Sequence, residues 1–166
     1  MDEINWKNDE LLIYGKKITT KRKVAWYGDE GIEYKYSKSV KRAISWTPGL
    51  IYIKNIIETS LNETFNSCLL NLYHNGSEGM GWHSDDEKEL KQNGTIASLS
   101  LGAPRKFVFK HKVSKNKIEV WLKHGSLLLM QGTIQKNWMH CLAPSKNVTE
   151  PRINLTFRYV VQSINN

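Results

Sequence analysis

Cysteine is scarce in this chain, and long apolar runs are missing from it. Only Cys68 and Cys141 occur in 166 residues, and they match neither a disulfide framework nor a Cys-x-x-Cys metal knuckle. The N-terminus is polar and acidic where a signal peptide would be basic and then apolar, and no apolar run approaches membrane-spanning length. We therefore expect reduced thiols in an intracellular protein, cytoplasmic or nuclear, that has no membrane partner.

Acidic residues are outnumbered by basic ones. The chain has 16 Asp and Glu against 24 Lys and Arg, a formal net charge of +8 and a pI near 9.4. This excess favours a polyanionic partner, nucleic acid first, because a lysine or arginine set against a phosphate releases condensed counterions. The alternative is a surface that is merely rich in lysine. The length suits one compact domain, so we predict a single domain over residues 1–166 and a monomer.

The spacing of apolar residues predicts a mainly β fold with a flanking helix. Residues 11–36 combine short extended segments with aromatic and basic side chains. Thr47-Pro48 is typical of a helix start, and the helical spacing that follows continues to about residue 65. Strands are predicted at residues 67–73, 95–101, 106–111, 118–122, 126–131 and 152–161. Many short strands separated by turns favour a jelly roll, which carries its site between two sheets.

Three residues form a candidate metal site. His83 and Asp85 have an i, i+2 spacing, which points both side chains to one face of an extended backbone. His140, far downstream, supplies a second histidine. Two histidines and one carboxylate are the facial triad of non-haem iron(II) oxygenases. Taken alone, His140 is more simply a structural histidine, and the His-x-Asp pair is weak evidence by itself.

The last predicted strand places an unusual polar face opposite an apolar one. Arg152, Asn154, Thr156 and Arg158 share one face, and Ile153, Leu155 and Phe157 share the other. An inward face with two arginines requires anions, and a dicarboxylate such as 2-oxoglutarate meets a guanidinium as a bidentate fork. Asn71 and Tyr73 share a face of an earlier strand and suit the same pocket. The alternative is a solvent-exposed edge strand.

These motifs resemble those of AlkB-type dioxygenases, in particular the DNA-repair homologues that act on duplex DNA. The resemblance spans roughly residues 11 to 160. The matching strings are Asn71-Leu72-Tyr73, His83-Ser84-Asp85-Asp86-Glu87, His124-Gly125-Ser126-Leu127-Leu128, His140, and Pro151-Arg152-Ile153-Asn154-Leu155-Thr156-Phe157-Arg158.

The resemblance implies a double-stranded β-helix core at about residues 67–161 and a nucleotide-recognition lid at about residues 11–42. It implies iron(II) on His83, Asp85 and His140. The residues implied for 2-oxoglutarate are Asn71, Tyr73, Arg152, Asn154, Thr156 and Arg158. Those implied for the nucleic acid are the finger Tyr14, the base-pocket residues Tyr34 and Tyr36, the basic residue Arg22, and the acidic residues Asp86 and Glu87.

The activity that the resemblance implies is oxidative demethylation of N-alkylated bases. Substrates such as 1-methyladenine and 3-methylcytosine in DNA would give formaldehyde, succinate and carbon dioxide. An RNA demethylase with the same chemistry is the main alternative. A non-catalytic nucleic-acid-binding module would not explain why His83, Asp85 and His140 are present. A jelly-roll zinc hydrolase would not explain the two arginines, Arg152 and Arg158.

Two departures from the duplex-repair homologues concern loops. The stretch from His111 to Ile118 is shorter than the basic loop that those homologues set against the complementary strand. The loop Ala143-Pro144-Ser145-Lys146-Asn147 holds one lysine where they have a basic cluster. Because phosphate contacts dominate affinity, we expect this chain to prefer single-stranded or easily opened substrates.

Overall fold

The computed structural model describes residues 3–13, 16–36 and 39–161. Its elements in chain order are β1 (Lys7–Ile13), β2 (Lys16–Gly28), β3 (Glu33–Tyr36), β4 (Ser39–Arg42), β5 (Ile44–Ser45), α1 (Pro48–Leu61), β6 (Ser67–Tyr73), β7 (Met80–His83), β8 (Ile96–Gly102), β9 (Arg105–His111), β10 (Lys117–Leu122), β11 (Leu127–Met130), α2 (Ile134–Asn137), β12 (Trp138–Leu142) and β13 (Arg152–Arg158). Within these residues, no helix is long and apolar enough to cross a membrane.

Most of the described strands belong to a larger and a smaller antiparallel sheet. The larger sheet has the order β1-β2-β6-β13-β8-β11, and the short β5 runs parallel to β2 at its side. The smaller sheet has the order β10-β9-β12-β7, and β3 and β4 form a hairpin. The predicted mainly β, jelly-roll architecture with a flanking helix is confirmed.

β13 lies in the middle of the larger sheet. It pairs with β6 on one side, where Arg152 is opposite Tyr73, and with β8 on the other, where Arg152 is opposite Gly102. Its apolar face, which carries Leu155 and Phe157, joins the hydrophobic core that includes residues of α1. Its polar face lines a cavity between the sheets. The alternative of an exposed edge strand was therefore wrong.

Helix α1 begins where its sequence predicted and ends earlier. The Thr47 hydroxyl accepts a hydrogen bond from the Leu50 backbone N–H at 3.3 Å, which caps the N-terminus. Asn62 then adopts a left-handed conformation with φ of 52°, which terminates a helix at its C-cap. The expectation that the helix reaches residue 65 was thus four residues too long, because apolar spacing continued past a capping residue.

The six strands predicted after the helix are all present, with ends shifted by a few residues. Two strands and a short helix were not predicted: β7, β12 and α2. β7 and β12 pair with each other and bring His83 opposite His140. Neither segment alternates cleanly between apolar and polar residues, so periodicity did not reveal them.

The N-terminal arm is continuous with the larger sheet. β2 is one strand of 13 residues, where the sequence suggested several short segments, and its Lys23 to Gly28 pair with Leu72 to Ser67 of β6. The division into a lid at about residues 11–42 and a core at about residues 67–161 stays a prediction. The second half of β2 is built into the sheet that carries β13.

Candidate active site

His83, Asp85 and His140 form a cluster able to bind a metal ion. One ligand atom from each lies within 4.8 Å of the others. The Nε2 atoms of His83 and His140 are 3.1 Å apart, and His83 Nε2 lies 3.8 Å from Asp85 Oδ1. The pairing of β7 with β12 sets the two histidines side by side, and Asp85 follows two residues after the end of β7.

The tautomer of His83 is fixed by its backbone neighbour. Its Nδ1 lies 2.8 Å from the carbonyl oxygen of Gly81. A carbonyl can only accept a hydrogen bond, so Nδ1 carries the proton. This leaves the lone pair of Nε2 directed at the cluster, as a metal ligand requires.

Asp85 is buried but ionised. Burial by itself would raise its pKa, but the attraction of Arg158, His140 and His83 together lowers the pKa below the ordinary value. Arg158 donates a hydrogen bond from Nη2 to Asp85 Oδ2 at 2.8 Å. Oδ1 is then the oxygen nearest to His83. The carboxylate is thus held in its charged form with one oxygen directed to the cluster.

His140 is 3 % exposed, and burial lowers its pKa to about 4. It is therefore neutral near pH 7, the form that binds metals. The ring of Phe107 stacks on it, with centroids 5.2 Å apart. Two imidazoles and one carboxylate match the donor set that non-haem iron(II) oxygenases use, so these residues fit iron(II).

The polar face of β13 holds a buried cation whose hydrogen-bond partners in the described chain are neutral. Arg152 is 3 % exposed, and its Nη2 donates to Ser100 Oγ at 2.9 Å and to Asn154 Oδ1 at 3.0 Å. Its Nε is buried without a hydrogen-bond partner among the described residues. Burial lowers the pKa of Arg152 to about 10, so the side chain remains charged at neutral pH. A carboxylate is the ligand that such a group lacks.

β6 contributes the neighbours of this cation. Tyr73 and Asn71 lie opposite Arg152 and Asn154 in the strand register, and the Tyr73 ring centroid is 5.6 Å from the Arg152 guanidinium carbon. Asn71 Oδ1 is buried and has no hydrogen-bond partner in the described part of the chain. Asn154 Nδ2 donates to Thr156 Oγ1 at 2.6 Å. The side chains predicted to bind 2-oxoglutarate are thus adjacent.

The metal cluster and the buried arginine share one cavity of about 750 Å³ between the sheets. Of the residues predicted for the site, those lining it are Arg22, Asn71, Tyr73, His83, Asp85, Glu87, His140, Arg152, Asn154, Thr156 and Arg158. Arg22 is buried, and its Nη1 lies 2.8 Å from the sulfur of Met80.

Of the other residues predicted for the nucleic acid, Asp86 has a described side chain, and it does not line this cavity. Asp86 is exposed, and its carboxylate pairs with Lys112 at 3.3 Å. Tyr34 and Tyr36 lie in β3, of which the structure describes the backbone at these two positions. Tyr14 lies outside the described residues. The roles of these four residues stay predictions.

Three contributors to the site were missed at the sequence level. Ser98 and Ser100 on β8 hold Asn154 and Arg152. Their i, i+2 spacing in a predicted strand could have identified them as a second polar face. Gln135 accepts a hydrogen bond from the backbone of Asp85, and no pattern in the sequence indicates that contact.

A family model described as the 2OG-Fe(II) oxygenase superfamily matches residues 1–158. The chain belongs to this superfamily. Iron(II) and 2-oxoglutarate are therefore its expected cofactor and cosubstrate, in agreement with the donor set and the buried arginine. The predicted relationship to AlkB-type dioxygenases is also confirmed by the relatives that the chain matches.

Two human proteins show the similarity of this chain to AlkB-type dioxygenases. The chain is 40% identical to the DNA oxidative demethylase ALKBH2 of Homo sapiens over 157 residues, 90% of this chain and 60% of that protein. It is 40% identical to the human alpha-ketoglutarate-dependent dioxygenase alkB homolog 3 over 168 residues, 95% of this chain and 58% of that protein. The chain thus spans somewhat over half the length of these relatives.

A solved structure, that of OsALKBH1, has the same fold. It superposes with a TM-score of 0.62 and 18% sequence identity, over 92% of this chain and 80% of the other.

Proposed function

We propose that this oxygenase is an oxidative demethylase of N-alkylated bases such as 1-methyladenine and 3-methylcytosine in DNA. The observation that carries the proposal is that the His83, Asp85 and His140 cluster opens into the same cavity as the buried cation of Arg152. A metal and a dicarboxylate would therefore meet in one place. The activity named for the human ALKBH2 relative agrees with this assignment.

Each side of the cavity has a separate task in this proposal. His83, Asp85 and His140 bind iron(II), and Arg158 orients Asp85. Arg152 binds the distal carboxylate of 2-oxoglutarate, and the other cosubstrate residues are Asn71, Tyr73, Asn154, Thr156 and Arg158. With the iron bound, 2-oxoglutarate and dioxygen give succinate and carbon dioxide while the N-methyl group is hydroxylated and leaves as formaldehyde.

The substrate side of the cavity suits a cationic base. 1-Methyladenine and 3-methylcytosine carry a positive charge, and Glu87 lines the cavity with one buried carboxylate oxygen that has no hydrogen-bond partner in the described chain. A carboxylate in such surroundings favours the charged, methylated base over the neutral one. Asp86, Arg22, Tyr34 and Tyr36 are proposed to contact the same nucleotide.

Access to that base requires base flipping. An enzyme cannot reach a base inside a stacked duplex, so the target nucleotide must be extruded, and an aromatic wedge compensates for the lost stacking. Tyr14 is proposed as that wedge. The net charge of +8 supports binding of the flanking phosphates, and we propose a monomeric, intracellular enzyme formed by one domain.

The deciding assay measures formaldehyde release with iron(II) and 2-oxoglutarate. The substrates are DNA and RNA oligonucleotides of one sequence that carry a single 1-methyladenine. We expect release from DNA, and we expect Asp85→Ala to abolish it. Release from the RNA alone would favour the RNA demethylase. No release from either, by protein shown to bind manganese(II) and 2-oxoglutarate, would refute the proposal.

A further inference from the structure

Two successive residues of the metal-binding loop bond directly to one short segment, and the next residue is joined to that segment through Lys112. Ser84 Oγ donates to the Trp138 carbonyl at 3.0 Å, the Asp85 backbone N–H donates to Gln135 Oε1 at 2.9 Å, and Asp86 pairs with Lys112 at 3.3 Å. The Lys112 ammonium also donates to the Gln135 carbonyl at 2.9 Å. The loop after β7 is thus tied to α2 and to the start of β12.

We propose that Gln135 is a positioning residue for the metal site. β7 ends at His83, so Asp85 lies beyond the strand and a side chain provides the partner for its buried backbone N–H. Arg158 orients the carboxylate, and Gln135 fixes the backbone from which that carboxylate extends.

The orientation of the Gln135 amide is itself determined. Its Oε1 accepts from Asp85, while its Nε2 lies 3.4 Å from the sulfur of Met130. A flipped amide would place its N–H₂ group against the N–H of Asp85, two donors facing each other. Since α2 leads directly into β12, which carries His140, one segment restrains two of the three ligands.

This inference depends on the proposed ligand assignment. Partners that orient metal ligands typically change metal affinity 10- to 100-fold when they are removed. Gln135 acts on the backbone of one ligand, so we expect an effect at the lower end, about tenfold.

The test compares three variants by calorimetric titration of manganese(II) into the metal-free protein, without nucleic acid. Gln135→Met keeps the side-chain length but removes the acceptor, and Gln135→Glu keeps an acceptor oxygen. Gln131→Met is the matched control, because Gln131 donates to Thr95 at 3.1 Å, outside this network. Lys112→Ala is a second test, since it removes the link between Asp86 and the Gln135 carbonyl.

We expect Gln135→Met to weaken manganese(II) binding about tenfold, with Gln135→Glu and Gln131→Met close to the unmodified protein. Lys112→Ala is expected to weaken it in the same direction. In turnover, the KM for iron should rise while kcat at saturating iron is retained. Manganese(II) affinity unchanged in Gln135→Met, or lost equally in Gln135→Glu, would overturn the inference.

Asp85→Ala separates this inference from the proposed function. If Asp85→Ala binds manganese(II) normally, the ligand assignment fails and the proposed function with it. If Asp85→Ala loses the metal while Gln135→Met retains full affinity, only the role of Gln135 is refuted.

Discussion

At the residue scale, Arg152 is the buried cation on which the proposed carboxylate site depends. A buried guanidinium is costly unless an anion accompanies it, and its partners in the described chain, Ser100 and Asn154, are neutral. The cavity is therefore electrostatically prepared for a carboxylate before any ligand arrives. This is the feature that separates an oxygenase site from a plain metal site with the same three ligands.

Arg152→Lys is expected to weaken 2-oxoglutarate binding about tenfold or more. The variant keeps the charge but loses the bidentate fork, and a hydrogen bond to a charged group contributes about 1.5–3 kcal/mol. Calorimetric titration of 2-oxoglutarate into manganese-loaded protein measures this change. The reverse exchange on a half-buried cation that does not line the cavity, Lys106→Arg, is the control. Equal affinity in Arg152→Lys and the unmodified protein would remove Arg152 from the cosubstrate site.

The two thiols are expected to be unreactive in the folded protein. Cys68 is fully buried and Cys141 is 6 % exposed, and burial raises the pKa of each thiol. A raised pKa lowers the thiolate fraction at any given pH, and the thiolate is the reactive form. Neither cysteine should react with a disulfide reagent at pH 8, whereas both should do so in urea. Rapid reaction of native protein would contradict this.

The residues most visible in the sequence were those whose side chains do chemistry. A His-x-Asp pair, a distant histidine and an arginine-bearing strand each leave a pattern of residue types. Gln135 leaves none, because its contact joins a side chain to a backbone group 50 positions away. Such contacts depend on where two loops meet in space, which no single-sequence pattern reports.

At the element scale, β13 was predictable because one of its faces lines the cavity and the other packs in the hydrophobic core. Alternation of period two separates Arg152, Asn154 and Thr156 from Leu155 and Phe157, and the structure keeps that separation. β12 is different: Met139, Cys141 and Leu142 lie on both sides of His140, so the alternation is blurred. The strands of the larger sheet around β13 could be predicted from the sequence, whereas neither β7 nor β12, which pair beside the metal cluster, could.

Phe157→Ala is expected to destabilise the protein by about 3–5 kcal/mol, the usual cost of removing a buried phenylalanine. Phe157 is fully buried against Phe65 and Trp46. Tyr52→Ala on α1 is the control, because Tyr52 is 69 % exposed and surface changes usually stay within about 0.5 kcal/mol. Urea unfolding measures both. Similar losses in the two variants would mean that the sheet does not depend on this core.

At the scale of the whole molecule, charge and loop length together predict strand preference. The connection between β9 and β10 covers only residues 112–116, and Lys112 within it is bound to Asp86 and Gln135. The loop after β12 offers Lys146 alone. Few cations are therefore available at these two loops for a second DNA strand.

We expect faster demethylation of a methylated oligonucleotide when it is single-stranded than when it is annealed to its complement. Losing several phosphate contacts weakens binding of the duplex substantially. The salt dependence per phosphate contact is steeper for duplex DNA than for single strands, so the difference should widen as salt is raised. Initial rates of formaldehyde release on the two forms, at two salt concentrations, measure this. A clear preference for the duplex would show that surfaces other than these two loops bind the complementary strand.

The central position of β13 also has a consequence for synthesis of the chain. In the larger sheet, β13 lies between β6 and β8, and its residues follow theirs by 50 positions or more. Such non-local pairing is slow to form. A nascent chain stalled with residue 150 outside the ribosome should remain protease-sensitive, and one with residue 158 well clear of the tunnel should resist. Metal loading during translation is then delayed until nearly all the described strands have emerged.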